Sequence, residues 1–406
     1  MIGAEATTGR RRASVVLFSA VALGTTGFVA TMTIAPLVGA DLSHSASLSG
    51  VPWSSAVLGT GLGSAALSRI MSRRGRVAGL TAGYAIGIVG AAAAAFAVIA
   101  GMFWVFVLGV LLAGGANAAN GLARYAAADV YPPQRRGAAL STIVWAGTVG
   151  GVAGPALLAP TGALAMNRDL PNLAGPTLLA VCGFVAALAV LASLRRSAIA
   201  DARPDDEPRA LSTQTVVAMW RSPSAQVALV ALAVSQAVMV LIMAMTPLHI
   251  RMAGHGLGSV GLVMAAHVFG MYGFSPLTGR LADRTGAVPV VLLGFTVITI
   301  AALAAAGSPE HAGTWLALPL FLLGLGWSCS FVAGSSLLAH GLSYSDRARL
   351  QGATDAVVWI AAAVAGLGSG LLVDSLGYAM LCIVGAAIIA LPFVLVLGQR
   401  RALAPA

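Results

Sequence analysis

The sequence predicts an all-α membrane protein of twelve transmembrane helices, arranged as two six-helix bundles. Three observations predict it. Hydrophobic residues make up 58% of the 406 residues and charged residues 9%, with a mean hydropathy of +0.91, whereas a soluble domain carries about 25% charged residues. Twelve apolar runs reach the length of about 20 residues that crosses a bilayer as a helix. A charged knot, Gly279-Arg280-Leu281-Ala282-Asp283-Arg284-Thr285-Gly286-Ala287, interrupts the second half, and a weaker copy, Ser68-Arg69-Ile70-Met71-Ser72-Arg73-Arg74-Gly75-Arg76, interrupts the first. Arg69, Arg73 and Gly75 match Arg280, Arg284 and Gly286 at one offset of 211 residues. Charge of this density must lie outside the hydrocarbon. Each knot therefore pins two helix ends to one side of the membrane, and two such knots imply a duplicated chain.

In order, the runs cover 14–40, 50–68, 77–99, 102–128, 138–160, 175–194, 223–250, 257–278, 288–307, 313–340, 349–373 and 377–398. The first follows Arg10-Arg11-Arg12 and ends at Val38-Gly39-Ala40, in the outline of a signal peptide. It is far longer than the about 7–15 apolar residues of a signal core, so it reads as a retained helix. The segment 195–222 is charged and proline-rich from Asp201 to Pro208 and reads as a mobile linker. It separates an N-terminal bundle, 1–194, from a C-terminal bundle, 223–406. Parallel halves of this kind are a known transporter architecture.

The basic residues test this count, because positive charge collects on the cytosolic side. All 23 are arginine. With both termini in the cytosol, every arginine except Arg168 and Arg251 falls in a cytosolic segment. An odd number of helices, or a cleaved first helix, would scramble that asymmetry. The net charge of +10 does not indicate nucleic acid, since the arginines lie in short loops between apolar runs. Cys182, Cys329 and Cys382 sit inside apolar runs and imply no disulfide or metal framework. No His, Cys or acid cluster has metal-ligand spacing, and no P-loop lysine is present to hold ATP. Neither catalytic residues nor a cofactor are expected.

Gly279 to Gly286 fits the cytoplasmic loop pattern G-x-L-x-D-R-x-G of the major facilitator superfamily, which the chain resembles over essentially its whole length. In the first-half copy Ser68 replaces the leading glycine and Ser72 stands where an acid is expected. The resemblance implies two six-helix bundles related by pseudo-twofold symmetry and a secondary transporter. It also implies a conformational role for Arg280, Asp283 and Arg284. Asp283 would meet the start of the fifth helix near Gly137, beside Arg135 and Arg136, when the cytosolic side is closed. A carboxylate at a helix N-terminus gains about 0.3–1 kcal/mol; the alternative is that Asp283 only caps its own loop. Gly147, Gly150, Gly154 and Pro155 resemble the G-x-x-x-G-P stretch of the superfamily's antiporter branches. Small residues four apart let helices approach closely and Pro155 bends its helix, so plain packing explains the same residues. The arginine that antiporters carry in the middle of the fourth helix is missing, with Val110 and Ala113 at the matching spacings. Arg124 lies nearer the cytosol, where it can snorkel.

In that fold the first, fourth, seventh and tenth helices line the cavity most closely. Here they carry Thr26 and Met32, Asn117 and Asn120, Gln236, Met239 and Met243, and Trp327, with Trp359 on the eleventh. Such a lining is mainly apolar and adaptable and suits a bulky amphiphile better than a sugar or an inorganic ion. Two ionisable residues stand out, because charge inside a membrane is costly and usually functional. His267 lies ten residues into the eighth run, about 15 Å deep at 1.5 Å per residue. It reads as a proton-coupling or solute-binding group, or as a neutral histidine bonded to a neighbouring helix. Asp355, about 9 Å into the eleventh run, either titrates or pairs with Arg347, Arg349 or a neighbouring helix. The expectation is a monomeric inner-membrane protein, with both termini cytosolic, that exports a hydrophobic or amphiphilic small molecule against protons. Symport of a small metabolite into the cell and a non-transporting membrane sensor are the alternatives.

Overall fold

The computed structural model describes residues 2–129, 131, 136–194, 222–309, 313–339 and 344–399, and among them every regular element is an α-helix. The helices are α1 (Ile2–Ser43), α2 (Gly50–Arg74), α3 (Arg76–Ala100), α4 (Phe103–Asp129), α5 (Arg136–Ala156), α6 (Leu158–Met166) and α7 (Ala174–Ala192). They continue as α8 (Pro223–Met252), α9 (Leu257–Gly273), α10 (Ser275–Thr285), α11 (Ala287–Ala306), α12 (Ala317–Ala339) and α13 (Tyr344–Gln399). The linker expected at 195–222 lies outside the described residues apart from Ser222. The Ser222 hydroxyl accepts from the Ala225 N–H at 3.3 Å and Pro223 opens α8, so that helix is capped from its own sequence.

Each of the twelve expected runs falls on a helix. Among the described residues nine spans are long and apolar enough to cross a membrane, and the pair α5 and α6, bent by 45°, makes a tenth. α13 holds two crossings in its 56 residues and leaves helical geometry at Gly377, between the eleventh and twelfth runs. α2 has the length, at 25 residues, but Ser54, Ser55, Thr60, Ser64 and Ser68 dilute its apolar character. The bend after Ala156 has its cause one residue earlier. Pro155 donates no backbone hydrogen bond, and its ring opposes the carbonyl one turn back.

The charged knot is helical, not a loop. α10 carries it to Thr285, with Thr278 and Ala282 buried and Arg280, Asp283 and Arg284 exposed. Charged residues on one face and small ones on the other satisfy a helix at a surface as well as a loop would. Only Gly286 leaves helical geometry, at φ 87° and ψ 158°, and Gly75 in the first-half copy does the same at φ 88° and ψ 162°. That region is open essentially to glycine alone and costs other residues about 1–3 kcal/mol. Gly286→Ala and Gly75→Ala are each expected to lower the thermal unfolding midpoint. Asparagine should not rescue either position. It tolerates a positive φ with ψ near about 47°, which is far from the ψ found here.

The chain divides into two compact units, residues 1–44 with 55–207, and residues 45–54 with 208–406. The same internal repeat appears in each. In the first, a Cβ on Gly83 would lie 3.0 Å from the Gly115 carbonyl oxygen, where α3 crosses α4. In the second, a Cβ on Gly294 would lie 2.7 Å from the carbonyl oxygen of Gly326, where α11 crosses α12. Both glycines of the second pair stand 211 residues after those of the first, the offset of the two knots. Backbones this close gain dispersion contacts that larger side chains would prevent.

Candidate functional site

In the second unit, α8, α9 and α12 bring polar and aromatic side chains together. The Trp327 Nε1–H donates to Gln236 Oε1 at 2.7 Å, joining α12 to α8. Phe331, one turn beyond, stacks on the indole with centroids 4.6 Å apart and planes 19° from parallel. Tyr272 of α9 meets the same indole edge-on at 5.9 Å and 77°. The hydroxyls of Ser275 and Ser328 lie 3.4 Å apart beside them. Each aromatic contact adds about 0.5–1.5 kcal/mol beyond buried area, so the indole is held on three sides. Met239 is buried in the same helix as Gln236, and Met243 is half-buried.

His267, also in this unit, is fully enclosed at 0% exposure. Its Nδ1 lies 2.8 Å from the Leu320 carbonyl oxygen. A carbonyl can only accept, so Nδ1 carries the hydrogen and Nε2 is left with its lone pair. Nε2 is buried and has no hydrogen-bond partner. Leu320 precedes Trp327 by about two turns of α12, so His267 and the Gln236–Trp327 pair occupy different levels of the unit. Trp359 and Asp355 are exposed on α13.

In the first unit, the predicted residues of α4 turn toward neighbouring helices. Asn117 donates through Nδ2 to the Thr60 hydroxyl of α2 at 3.3 Å. Asn120 accepts from the Tyr84 hydroxyl of α3 at 2.8 Å, and its Nδ2 is enclosed without a partner. Gly24 of α1 makes this possible, because a Cβ there would lie 2.6 Å from Asn120 Oδ1. The hydroxyl of Thr26 donates to Ala22 in its own helix at 2.8 Å, and Met32 is buried. Gly150 and Gly154 let α5 cross α1. A Cβ would come within 2.4 Å of the Ala22 oxygen at the first position and 2.6 Å of the Thr26 oxygen at the second.

Asp283 makes no hydrogen bond or ion pair to a described residue. Of the groups expected beside it at the start of the fifth helix, Arg135 and the side chain of Arg136 lie outside the described residues.

Several site residues had no sequence signal of their own. Phe331 could have been found, because it stands one helical turn after Trp327. Tyr272, Tyr84 and Gly24 could not, because their roles depend on which helices meet.

Two helical units built on one repeat, with polar groups buried inside helices apolar enough to cross a membrane, define a polytopic membrane protein. The chain belongs to the Major Facilitator Superfamily, whose sequence profile matches residues 16–259 and 252–405. It is 32% identical over 371 residues to the MFS-type transporter YdeG of Bacillus subtilis (strain 168), covering 89% of this chain and 86% of that one. It is 30% identical over 375 residues to the riboflavin transporter RfnT of Brucella anthropi, covering 91% of each. The structure superposes on the crystal structure of the nucleoside transporter NupG with a TM-score of 0.75, 13% identity and coverage of 96% and 98%. At that identity the likeness speaks to the fold alone.

Proposed function

We propose that this protein is a secondary active transporter that moves an amphiphilic small molecule with a flat aromatic part by alternating access, coupled to protons. The observation that carries the reading is the Gln236–Trp327 pair with Phe331 and Tyr272 around it. An indole offers a face or edge to a planar ring. With Oε1 of Gln236 engaged, its amide N–H groups are the ones to meet a carbonyl or ring nitrogen of the solute. The arginine asymmetry supports placement in the bacterial inner membrane with both termini in the cytosol. Asp283, Arg280 and Arg284 bias the closing of the cytosolic side, and Gly150, Gly154 and Pro155 form the pivot between α1 and α5.

His267 is the coupling group in this reading. Its Nε2 is a buried acceptor without a donor, and a proton arriving there changes the charge of an enclosed site. Asp355 is the second. His267→Ala is expected to abolish accumulation driven by an imposed pH gradient while leaving downhill exchange of the solute. Asp355→Asn should do the same if it shares the proton. Coupling unchanged in both variants would remove the proton sites and leave the carrier intact.

Export is the direction that the glycine-rich α5 stretch suggests. A second reading, uptake of a metabolite with a flat ring, is favoured by the 30% identity to a riboflavin transporter. Proteoliposomes of known orientation, tested with riboflavin and with a fluorescent cationic dye, separate the two by the sign of flux and by which compound moves. Binding without flux in either test would mark a sensor.

A further inference from the structure

We propose that Arg124 is a recognition site for an oxyanion, a carboxylate or phosphate carried by the transported solute. This rests on the transport reading above. Arg124 stands in the cytosol-proximal part of α4, a helix apolar enough to cross the membrane. A guanidinium stays charged at all accessible pH, and charge within such a segment is costly unless it is partnered. Among the described residues its only partner is Tyr125. Nη2 donates to the Tyr125 hydroxyl at 3.1 Å, and the guanidinium carbon lies 4.9 Å above the centre of the same ring. Nε is enclosed and has no hydrogen-bond partner. The phenol thus holds the guanidinium in place without neutralising it, and the terminal Nη N–H groups not used on Tyr125, rather than the enclosed Nε, are left for two oxygens of one anion.

The course of α4 indicates where that anion comes from. Phe103, Phe106, Val110 and Ala113 form one stripe and are 9%, 0%, 1% and 3% exposed. Toward the cytosolic end the stripe continues through Asn117, Gly121 and Arg124 and becomes open. Asn117 and Arg124 are half-buried, Gly121 is exposed, and a Cβ on Gly121 would meet nothing within 4 Å. The exposed apolar pair of α4, Trp104 and Leu108 at 70% and 56%, marks the side suited to lipid. Arg124 follows Trp104 by about five and a half turns at about 3.6 residues per turn, and so points away from that side. A guanidinium reaching for lipid headgroups would share the face of Trp104. This one shares the face that is closed at one end of the helix and open at the other.

The test uses purified full-length protein in lipid-free detergent. Its thermal midpoint is titrated with benzoate, phenyl phosphate and neutral benzamide, and separately with phosphatidylglycerol. The expected result is a saturable rise with the two anions and none with benzamide. Arg124→Gln should weaken the anion response at least about tenfold, and Arg124→Lys, which keeps the charge but loses the fork, should fall between. Tyr125→Phe, which removes only the orienting hydroxyl, should weaken it several-fold, so the site remains testable if Arg124→Gln does not fold. Equal responses in wild type and Arg124→Gln would overturn the proposal. So would a rise with phosphatidylglycerol alone, which would make Arg124 a lipid anchor. Anion binding that depends on Arg124 in a protein without flux would instead refute transport and leave the anion site standing.

Discussion

Trp327→Ala is expected to abolish solute flux in proteoliposomes and to weaken solute binding by at least about tenfold, the scale of a buried aromatic anchor. The variant alone does not separate recognition from folding, because it also removes a packed indole. A cycle with Gln236 does. Trp327→Phe keeps a ring against Phe331 and Tyr272 but leaves Gln236 Oε1 without its donor at 2.7 Å. Gln236→Leu leaves the indole N–H without its acceptor. Each buried orphan costs about 1–3 kcal/mol, whereas replacing both partners by apolar groups is nearly neutral. The double variant is therefore expected to regain the thermal midpoint of the wild type and to remain inactive. Recovery of flux together with stability would show that the pair is structural and that the solute is held elsewhere.

The second large effect is expected at Gly50. Within the second unit, the first residues of α2 lie against α13 through small residues. A Cβ on Gly50 would sit 2.0 Å from the Gly366 carbonyl oxygen, and one on Gly370 would sit 2.6 Å from that of Ser47. The Ser54 hydroxyl donates to the Ala363 carbonyl at 2.9 Å, and Ser47 to Asp374. Ser49 reaches the Met245 sulfur at 3.3 Å. Neither backbone can absorb a side chain at Gly50, so Gly50→Val should force residues 45–54 off α13. Reversing a strongly biased two-state equilibrium takes about 5.5 kcal/mol, within reach of a clash this deep. In a Cys182→Ser background, a cysteine at Ser54, a position 1% exposed, should react with maleimide at least about tenfold faster once Gly50 is valine, since its rate follows the open population. An unchanged rate would mean that the contact adapts and carries no conformational weight.

Much of this was legible in the sequence, for physical reasons. A membrane helix must bury every backbone polar group within itself, so apolar runs alone locate the crossings. Gly75 and Gly286 could be paired by offset because a positive φ with extended ψ leaves glycine little competition. Gln236 and Trp327 could be named in advance because they stand on the seventh and tenth runs, which the resemblance assigns to the lining of the cavity. What the sequence did not reveal lies in side-chain partnership. His267 could be placed by depth, but its bond to the Leu320 carbonyl leaves no mark on residue type at position 320. Asn120 reads as a lining residue, yet Gly24 gives it room beside Tyr84. The knot reads as a loop from its charge, but its charged residues all lie on the open face of α10. The Arg124 guanidinium, held only by Tyr125 among the described residues, takes its meaning from a stripe that runs from closed at Phe103 to open at Gly121, and residue type alone does not show that.

The most direct test reconstitutes the full chain in proteoliposomes, imposes a pH gradient, and follows riboflavin and a fluorescent cationic dye in wild type, His267→Ala and Trp327→Ala. Gradient-driven movement of at least one compound by the wild type, uncoupled in the first variant and lost in the second, is the predicted result. Gradient-driven movement of either compound that persists undiminished in Trp327→Ala would contradict it.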